Sequence, residues 1–264
     1  MNTQLCDQAS SLRGDVVSVR PASDGVAVIE MHDEAGKNTF TGELTTELAA
    51  AFERVGSDEQ LRAVVLTGYG PYFCSGGTLG ALLDIQDGQN TFLGAGEGPG
   101  IYTMPLTCPI PVVAAMQGHA IGGGFSLGLF ADVVVLAREA VYSASFMKYG
   151  FTPGFGSTLI FPEKLGLPLA EELLLGARTY RGAELASRGV PFEVAPRGEV
   201  LDRALVMAER LADKPGRSLI TLKAHLVRHL LEQLPHCTEL ELAMHEITIH
   251  EPEVRERLIS RYSA

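Results

Sequence analysis

Short apolar runs alternate with longer helix-like segments along the first two thirds of the chain. Val26–Met31, Ala63–Thr67 and Val112–Met116 are rich in β-branched residues, as buried strands are. Between the first two runs, apolar residues recur at helical spacing from Thr41, a suitable N-cap residue, to Val55. A strand, a helix and a second strand in this order form a crossover unit, so the pattern predicts a parallel sheet in an α/β fold.

The same alternation continues to about residue 145, and the pattern becomes helical from Leu169. The pattern predicts a short helix at Leu79–Gln86 and a charge-free, buried helix at Phe125–Ala131. Further strands are predicted at Val133–Leu136 and Val141–Ser145, and Val190–Ala195 is predicted to be extended. Five helical segments are predicted beyond residue 168: Leu169–Gly176, Gly182–Arg188, Glu199–Leu211, Ser218–Glu232 and Thr238–His250. We therefore predict a strand–helix core followed by a helical C-terminal third.

Composition and charge exclude several classes of protein and of binding partner. The 264 residues carry a formal net charge of −11, which argues against nucleic acid or an anionic membrane as the main partner. No uninterrupted apolar run approaches the ~18 residues of a membrane-spanning helix, and the N-terminus lacks the pattern of a signal peptide. The four cysteines form no CxxC pair, so no zinc or redox site is expected. We expect a cytoplasmic protein with reduced thiols.

Two glycine-rich turns are the strongest chemical signal in the sequence. FCSGG (Phe73–Gly77) follows the second predicted strand, and GHAIGGG (Gly118–Gly124) follows the third; each leads into a predicted helix. Unpaired N–H groups at a helix N-terminus attract negative charge, and two that converge on one point make an oxyanion hole. The alternative interpretation is a pair of turns that need glycine only for close helix–strand packing. Neither turn fits a GxGxxG dinucleotide motif or a P-loop.

These turns, with the stretch PVVAAMQGHAIGGGFSLGLFADVVV and the later TPGFG, resemble the crotonase (enoyl-CoA hydratase/isomerase) superfamily. The resemblance extends from about Val26 to the C-terminus. It implies a crotonase-like spiral of ββα units over residues 1–195 and a helical capping and trimerisation region over 196–264, assembled as homotrimers or hexamers. It also implies that acyl thioesters of phosphopantetheine bind at the turns, where the N–H groups of Gly77 and Gly123 stabilise an enolate.

Other residues occupy the two positions where hydratases of this superfamily carry glutamates. Ser126 stands two residues after the last glycine of the GGG stretch, and Phe146 stands four residues before Gly150. Addition of water needs one group to activate the water and another to protonate carbon. The resemblance therefore argues against hydratase activity, and we expect Ser126 and Phe146 to contact the substrate instead.

Four stretches resemble a narrower subfamily, the decarboxylating crotonase homologues of polyketide β-branching cassettes. They are KNTF at Lys37–Phe40, FMKYGFTPGFG at Phe146–Gly156, YRGAEL at Tyr180–Leu185 and ELAMHEITIHEPEV at Glu241–Val254. The resemblance implies decarboxylation of a 3-methylglutaconyl thioester to a 3-methylcrotonyl thioester, through a dienolate held in the oxyanion hole. It implies no metal or redox cofactor, and an acyl group that arrives on the phosphopantetheine of an acyl carrier protein or of CoA.

His245 aligns with a histidine that this subfamily uses, and it is the expected acid–base residue because a histidine can supply a proton near neutral pH. From the residues alone, a single histidine on a helix is more often a core or surface residue. His119, beside the second glycine turn, is the next candidate and is expected to contact the substrate. Glu246 and His250 are expected to face away from His245, because residues one and five positions along a helix lie on other faces.

The lysine with which the subfamily holds the departing carboxylate has no counterpart in this sequence. Its expected position falls at or near Thr91, and no lysine or arginine occurs between Arg62 and Arg138. Thr91 can donate a hydrogen bond to a carboxylate but brings no charge. Lys37 and Lys148 are the nearest cations in the resembling stretches. Two alternatives stay open: a double-bond isomerase acting on a carrier-bound enoyl thioester, and a non-catalytic crotonase scaffold.

The expected macromolecular partner is an acyl carrier protein, although the sequence leaves CoA open as the carrier. Acidic carrier proteins normally dock on basic residues. Despite the net negative charge, the C-terminal third contains Lys214, Arg217, Lys223 and Arg228, and these residues are predicted to form a local basic patch.

Overall fold

Eleven strands and twelve α-helices make up the part of the chain that the structure describes, residues 12–90 and 100–262 of a computed structural model. The strands are β1 Leu12–Arg13, β2 Val17–Ser23, β3 Val26–Met31, β4 Ala63–Thr67, β5 Tyr72–Cys74, β6 Val112–Met116, β7 His119–Ile121, β8 Val133–Ala137, β9 Val141–Ser143, β10 Thr179–Arg181 and β11 Glu193–Ala195. The helices are α1 Gly42–Ser57, α2 Leu79–Gln86, α3 Met104–Thr107, α4 Gly123–Leu129, α5 Phe146–Tyr149, α6 Ser157–Leu165, α7 Leu167–Gly176, α8 Gly182–Ser187, α9 Val200–Ala212, α10 Gly216–Leu226, α11 Arg228–Thr248 and α12 Pro252–Arg261.

The strands form two sheets, and the strands from β4 to β9 enter the two sheets alternately. The larger sheet has the order β1-β2-β3-β4-β6-β8-β11, and it is parallel from β3 onwards. The smaller sheet has the order β10-β9-β7-β5, with β5, β7 and β9 parallel. Three successive repeats, β4-β5-α2, β6-β7-α4 and β8-β9-α5, each place one strand in the large sheet, the next in the small sheet, and then a helix. The predicted spiral of ββα units is therefore confirmed.

Burial explains why the central strands lack an alternating pattern. All five residues of β4 and of β6 are buried, as expected for parallel strands that are covered on both faces. The α9 helix packs on β3, β4, β6 and β8, although it follows Ala195. The first helix of the C-terminal region thus completes the core, and the division at residues 195 and 196 stays a prediction.

The sequence patterns gave the bounds of several elements correctly and missed others. The strands at Val26–Met31, Ala63–Thr67 and Val112–Met116 and the helix at Leu79–Gln86 are confirmed. Thr41 is the N-cap of α1, where its hydroxyl accepts a hydrogen bond from the N–H of Leu44 at 3.1 Å. The patterns gave no signal for the three-residue strands β5, β7 and β10, or for α6 and α12.

The predicted division of the long C-terminal helices is wrong. One helix was expected to run through Ser218–Glu232, but α10 ends at Leu226 and a new helix begins at Arg228. That helix, α11, then continues to Thr248 with Pro235 in its interior. Proline removes one backbone hydrogen bond, and the packing of α11 against α6 keeps the helix continuous across that loss.

The prediction that Lys223 belongs to a basic surface patch is also wrong. Lys223 is buried, and its ammonium group lies 2.7 Å from a carboxylate oxygen of Asp132. The same group donates hydrogen bonds to the carbonyl oxygens of Pro105 and Ile110, each at 3.0 Å. Lys223 therefore joins α10 to the core and presents no charge to a partner.

In the described part of the chain, no helix combines the length and the apolar character needed to cross a lipid bilayer.

Candidate active site

A cavity of about 1010 Å³ opens beside the smaller sheet, between the two glycine turns and the C-terminal helix α12. Aromatic side chains are prominent in its wall. Eight rings contribute to it: Phe40, Tyr72, Tyr102, Phe146, Tyr149, Phe151, Phe155 and Tyr262. Ligand cavities of this size are typically apolar, with a few polar groups that fix the ligand's orientation. Here the polar groups include backbone atoms of the glycine turns and the side chains of Lys37, Ser75 and Asp84.

The two glycine turns meet at this wall, where both Gly77 and Gly123 line the cavity. A Cβ atom on Gly76 would lie 2.6 Å from the carbonyl oxygen of Ile121 and 3.4 Å from the nitrogen of Gly123. A Cβ atom on Gly124 would lie 2.2 Å from the carbonyl oxygen of Cys74. Because the two turns touch, a side chain at Gly76 or Gly124 would collide with backbone atoms. Both positions therefore require glycine.

Hydrogen bonds to the backbone fix the peptide groups that carry the two N–H donors. The carbonyl of Gly76 accepts a hydrogen bond from the N–H of Phe40 at 2.7 Å. The C=O and N–H of a trans peptide point in opposite directions, so this bond also fixes the direction of the Gly77 N–H. Gly123 is the first residue of α4, and such a residue has no intrahelical partner for its N–H. The wall therefore has the features of an oxyanion hole, and the donor roles of Gly77 and Gly123 stay a prediction.

His245 lies directly behind the cavity wall. Its imidazole is 2% exposed and packs edge-on against Phe151, a lining residue, at 5.5 Å between ring centroids. Nδ1 lies 3.2 Å from the carbonyl oxygen of Thr152. Since a carbonyl can only accept, Nδ1 carries the hydrogen and Nε2 is left as the proton acceptor. Burial lowers the pKa of His245 to about 4, so its resting form at neutral pH is the uncharged imidazole.

The α11 helix holds the loop before α6 at a second point, one turn before His245. The buried Glu241 carboxylate accepts hydrogen bonds from the N–H groups of Gly156 and Thr158, each at 2.7 Å. Burial raises the pKa of this carboxyl group, although these bonds favour its charged form. The loop carries Phe155 at a φ of +68°, with its ring 3.8 Å from that of Tyr102 in the cavity wall. Sequence reasoning missed Glu241, because its contacts are made 83 and 85 residues away.

Charged side chains are scarce at the cavity. Within the described ranges, Lys37 is the single cation and Asp84 the single carboxylate in the lining. The Lys37 ammonium group lies 5.5 Å above the ring of Tyr72. Lys37 and Asn38 both have positive φ angles, of 54° and 53°. The buried Asn38 amide donates to the carbonyl oxygens of Met31 and Phe73 at 3.0 and 2.9 Å, and these bonds keep the turn in place.

Comparison with known proteins shows to which family this chain belongs. The family model for enoyl-CoA hydratase/isomerase matches residues 21–262. The chain belongs to the enoyl-CoA hydratase/isomerase family. The resemblance inferred from the glycine turns and their flanking stretches is thereby confirmed.

The more similar relatives within this family are decarboxylases. The chain is 53% identical over 247 residues to the bacillaene synthase decarboxylase PksI of Bacillus subtilis, covering 94% of this chain and 98% of that protein. A solved structure from a dehydratase/decarboxylase enzyme couple of polyketide β-branching is 52% identical with a TM-score of 0.91, covering 94% of this chain and all of that chain. The ECH2 decarboxylase domain of CurF from Lyngbya majuscula is 40% identical with a TM-score of 0.88, covering 93% and 99%.

The two positions that carry glutamates in hydratases of the family lie in different environments here. Phe146 lines the cavity, as expected for a residue that contacts substrate. Ser126 is fully buried and is not brought to the wall: its hydroxyl lies 2.8 Å from that of Ser157, because this face of α4 packs against α6. The contact expected between Ser126 and the substrate therefore has no support in the structure.

The remaining site predictions fall outside the cavity or outside the described residues. His119 does not line the cavity: its Nδ1 accepts the N–H of Val141 at 3.0 Å, and its ring packs against Tyr72. Burial lowers the pKa of His119. Thr91 lies outside the described residues, so its expected contact with the carboxylate stays a prediction.

One group of side chains in the described ranges has the spacing of metal ligands, and it lies apart from the cavity. Oxygen atoms of Asp15, Glu43 and Glu47 lie within 4.8 Å of one another at the surface. The Glu47 carboxylate already accepts the N–H groups of Asp15, Val16 and Val17 at 2.8–3.0 Å. The Glu47 carboxylate therefore holds the backbone at the start of β2.

Proposed function

We propose that this chain decarboxylates a 3-methylglutaconyl thioester, carried on the phosphopantetheine of an acyl carrier protein, to a 3-methylcrotonyl thioester in polyketide β-branching. The observation that carries the proposal is the pair of touching glycine turns on the wall of an aromatic cavity, in a chain 53% identical to a polyketide-synthase decarboxylase. The solved relative that is 52% identical belongs to a dehydratase/decarboxylase couple involved in polyketide β-branching.

Hydration does not fit this cavity. A hydratase of the family needs two acid–base groups, and the corresponding positions are Ser126, which is buried against Ser157, and Phe146. Asp84, the one lining carboxylate of the described ranges, is exposed and stands at the cavity's edge. The site therefore lacks the pair of groups that activate water and protonate carbon.

Decarboxylation fits the glycine turns. When the bond to the carboxylate breaks, its electron pair enters the conjugated system and CO₂ leaves. The resulting dienolate carries negative charge on the thioester oxygen, where the N–H groups of Gly77 and Gly123 donate hydrogen bonds. Fixed backbone donors in a site that excludes water stabilise such charge strongly. One proton then adds to the terminal carbon, so each turnover consumes one proton and releases one CO₂.

The aromatic wall favours loss of the carboxylate. A carboxylate loses its hydration when it binds among apolar side chains, and this desolvation costs free energy. The cost is removed when the group leaves as neutral CO₂. Lys37, with its ammonium group above Tyr72, supplies positive charge at the lining and attracts the acid into the cavity.

His245 is the proposed proton carrier. Because Nδ1–H is bonded to Thr152, the neutral ring accepts a proton at Nε2 and then passes it to the terminal carbon of the dienolate. His245 lies behind Phe151, so the Phe151 side chain must move during turnover to let the imidazole reach the substrate. The low pKa keeps the resting histidine uncharged, and the negative charge of the substrate favours its protonation only when the acid is bound.

The second candidate function is isomerisation of a carrier-bound enoyl thioester between its α,β and β,γ forms. It is favoured by the absence of any lysine or arginine between Arg62 and Arg138, since an isomerase needs no group to hold a carboxylate. It uses the same oxyanion hole and one base, for which the neutral His245 is suited.

Mass spectrometry of a loaded carrier protein separates the candidates. The carrier is charged with 3-methylglutaconyl thioester and, separately, with 3-methylcrotonyl thioester, and each is incubated with the enzyme. We expect loss of CO₂ from the first. No loss of CO₂, with double-bond migration in the second, would establish the isomerase instead, and no reaction with either would indicate a scaffold. Repeating the assay with CoA thioesters distinguishes the two carriers.

We further propose a homotrimer or hexamer located in the cytoplasm. Six large apolar side chains of α10 and α11 are exposed in the single chain: Ile220, Leu222, Leu226, Leu231, Leu240 and Ile247. Exposed apolar side chains concentrated on two helices are typical of an interface. Cys74, Cys108 and Cys237 are free thiols, as in proteins of a reducing compartment. Light scattering at micromolar concentration should give a mass three or six times that of the chain, and a monomer would contradict the proposed assembly.

A further inference from the structure

The peptide groups on both sides of Gly77 are held by donors from distant parts of the chain. The carbonyl of Gly76 accepts from the N–H of Phe40, as described above. The carbonyl of Gly77 accepts a hydrogen bond from the hydroxyl of Tyr262, which lies 185 residues away in sequence. Two adjacent glycines have wide conformational freedom, and Gly76 adopts a φ of +80°. These two bonds therefore determine how the first glycine turn is oriented.

Tyr262 reaches the turn because α12 lies along α2. The α2 helix follows Gly77, and its far end contacts the start of α12: the Gln86 amide donates to the carbonyl of Glu251 at 3.2 Å, and Arg255 pairs with Asp87 at 2.7 Å. At the other end, Tyr262 contacts Gly77. The two helices thus run antiparallel, with polar contacts at both ends. The buried side chains of Val254 and Leu258 anchor α12 between these contacts.

The Tyr262 ring is also part of the cavity wall. It lies 5.4 Å from the ring of Tyr149, which in turn stacks on Phe151 at 6.2 Å. Phe151 packs on His245. A continuous series of rings therefore connects the first glycine turn with the proposed proton carrier. Burial raises the pKa of the Tyr262 hydroxyl, so this group keeps its proton and remains a donor at neutral pH.

We infer that Tyr262 is a positioning residue of the active site, which holds the Gly77 peptide in the orientation that an oxyanion requires. Through Tyr262, α12 contributes to the active site. The inference rests on the proposed function, because it assigns the task of Tyr262 in that reaction. Tyr262 acts through Gly77: the N–H of Gly77 contacts the thioester oxygen, while Tyr262 holds the following peptide group. Its hydroxyl therefore matters most when charge develops on that oxygen.

The test compares two tyrosine-to-phenylalanine variants. Tyr262→Phe removes the hydroxyl that holds Gly77 and keeps the ring. Tyr69→Phe is the matched control, because Tyr69 also donates to a backbone carbonyl, that of Glu34 at 3.1 Å, and does not line the cavity. We expect Tyr262→Phe to lower kcat about 3- to 10-fold with little change in KM, as one neutral hydrogen bond lost mainly in the transition state would. Tyr69→Phe should leave kcat within about twofold of the wild type.

A spectroscopic measurement separates positioning from a general loss of stability. The infrared stretch of a ¹³C-labelled crotonyl thioester carbonyl moves to lower frequency when an oxyanion hole polarises it. Tyr262→Phe should reduce this displacement at saturating ligand and unchanged melting temperature, and Tyr69→Phe should not. Equal kcat and equal carbonyl frequency in the wild type and Tyr262→Phe would overturn the inference. A reduced displacement in Tyr262→Phe, together with a wild type that releases no CO₂, would leave the inference standing and reject decarboxylation.

Discussion

The two sides of the cavity are built in different ways. The oxyanion side consists of backbone atoms from two turns that parallel strands bring together, so its geometry follows from local glycine motifs. The other side is supported by the C-terminal helices: Tyr262 lines the cavity, whereas Glu241 and His245 of α11 lie behind its wall. These three residues make contacts 83 or more residues away in sequence. The proposed charge-stabilising group is therefore part of the spiral, whereas the proposed proton carrier and positioning residue depend on how the C-terminal helices dock.

The largest expected effect concerns the proton carrier on the C-terminal side. His245→Gln removes a titratable imidazole from behind Phe151, so we expect kcat for the acid to fall by ~10²–10⁴. Glu246→Gln is the control, since Glu246 is an exposed neighbour on the same helix, and it should leave kcat within about twofold of the wild type. Steady-state kinetics on the loaded carrier provide both values. A folded His245→Gln enzyme with wild-type kcat would remove this histidine from the mechanism.

A slightly smaller effect is expected when the two glycine turns are forced apart. Gly76→Ala introduces a Cβ atom 2.6 Å from the carbonyl oxygen of Ile121, on a residue with a φ of +80°. The turn must shift, so we expect kcat to fall by ~10²–10³, as when one oxyanion donor is lost. Gly198→Ala is the matched control, because a Cβ there meets no atom within 4 Å. Similar kcat values for the two variants would show that the contact between the turns has no catalytic importance.

The sequence predicted the glycine turns better than the contributions of the C-terminal helices, for physical reasons. The turns at Gly77 and Gly123 are recognisable because glycine-rich segments follow the buried strands β4 and β6, whose bounds were predicted correctly. The short strands β5 and β7 within those segments were missed. The placement of Ser126 against α6, and of His245 behind Phe151, depends on tertiary packing that no local pattern encodes. Tyr262 lies at the end of α12, a helix that the periodicity did not reveal, and Glu241 accepts its backbone hydrogen bonds from residues 83 and 85 positions away.

The C-terminal side should also give the molecule a dependence of stability on pH. The pKa of His245 is about 4 in the folded chain, against about 6.5 in an unfolded one, so between these values the unfolded state binds more protons. The free energy of unfolding should therefore decrease as the pH falls from about 6.5 to 4, by at most about 3 kcal/mol from this residue. Denaturant titrations of the wild type and His245→Gln give the contribution by difference. This difference cancels the opposing dependence of Glu241, whose raised pKa favours folding at lower pH.

The smallest expected effect concerns the charge at the lining. Lys37→Met retains most of the side chain and removes the ammonium group above Tyr72. We expect KM for the 3-methylglutaconyl substrate to rise roughly 3- to 10-fold with little change in kcat, because an attraction for the acid acts mainly on binding. The affinity for the neutral 3-methylcrotonyl product should not change. Lys148→Met, which alters an exposed lysine outside the lining, is the control. An equal loss of affinity for acid and product would contradict the assigned role.

The most direct test of the central claim is a structure with a 3-methylcrotonyl pantetheine thioester bound. The claim is that both glycine turns hold the thioester oxygen. It predicts this oxygen at about 3 Å from the backbone nitrogens of both Gly77 and Gly123, with the acyl chain directed toward Phe151 and His245. A thioester oxygen that contacts neither nitrogen, in an otherwise occupied cavity, would contradict the account.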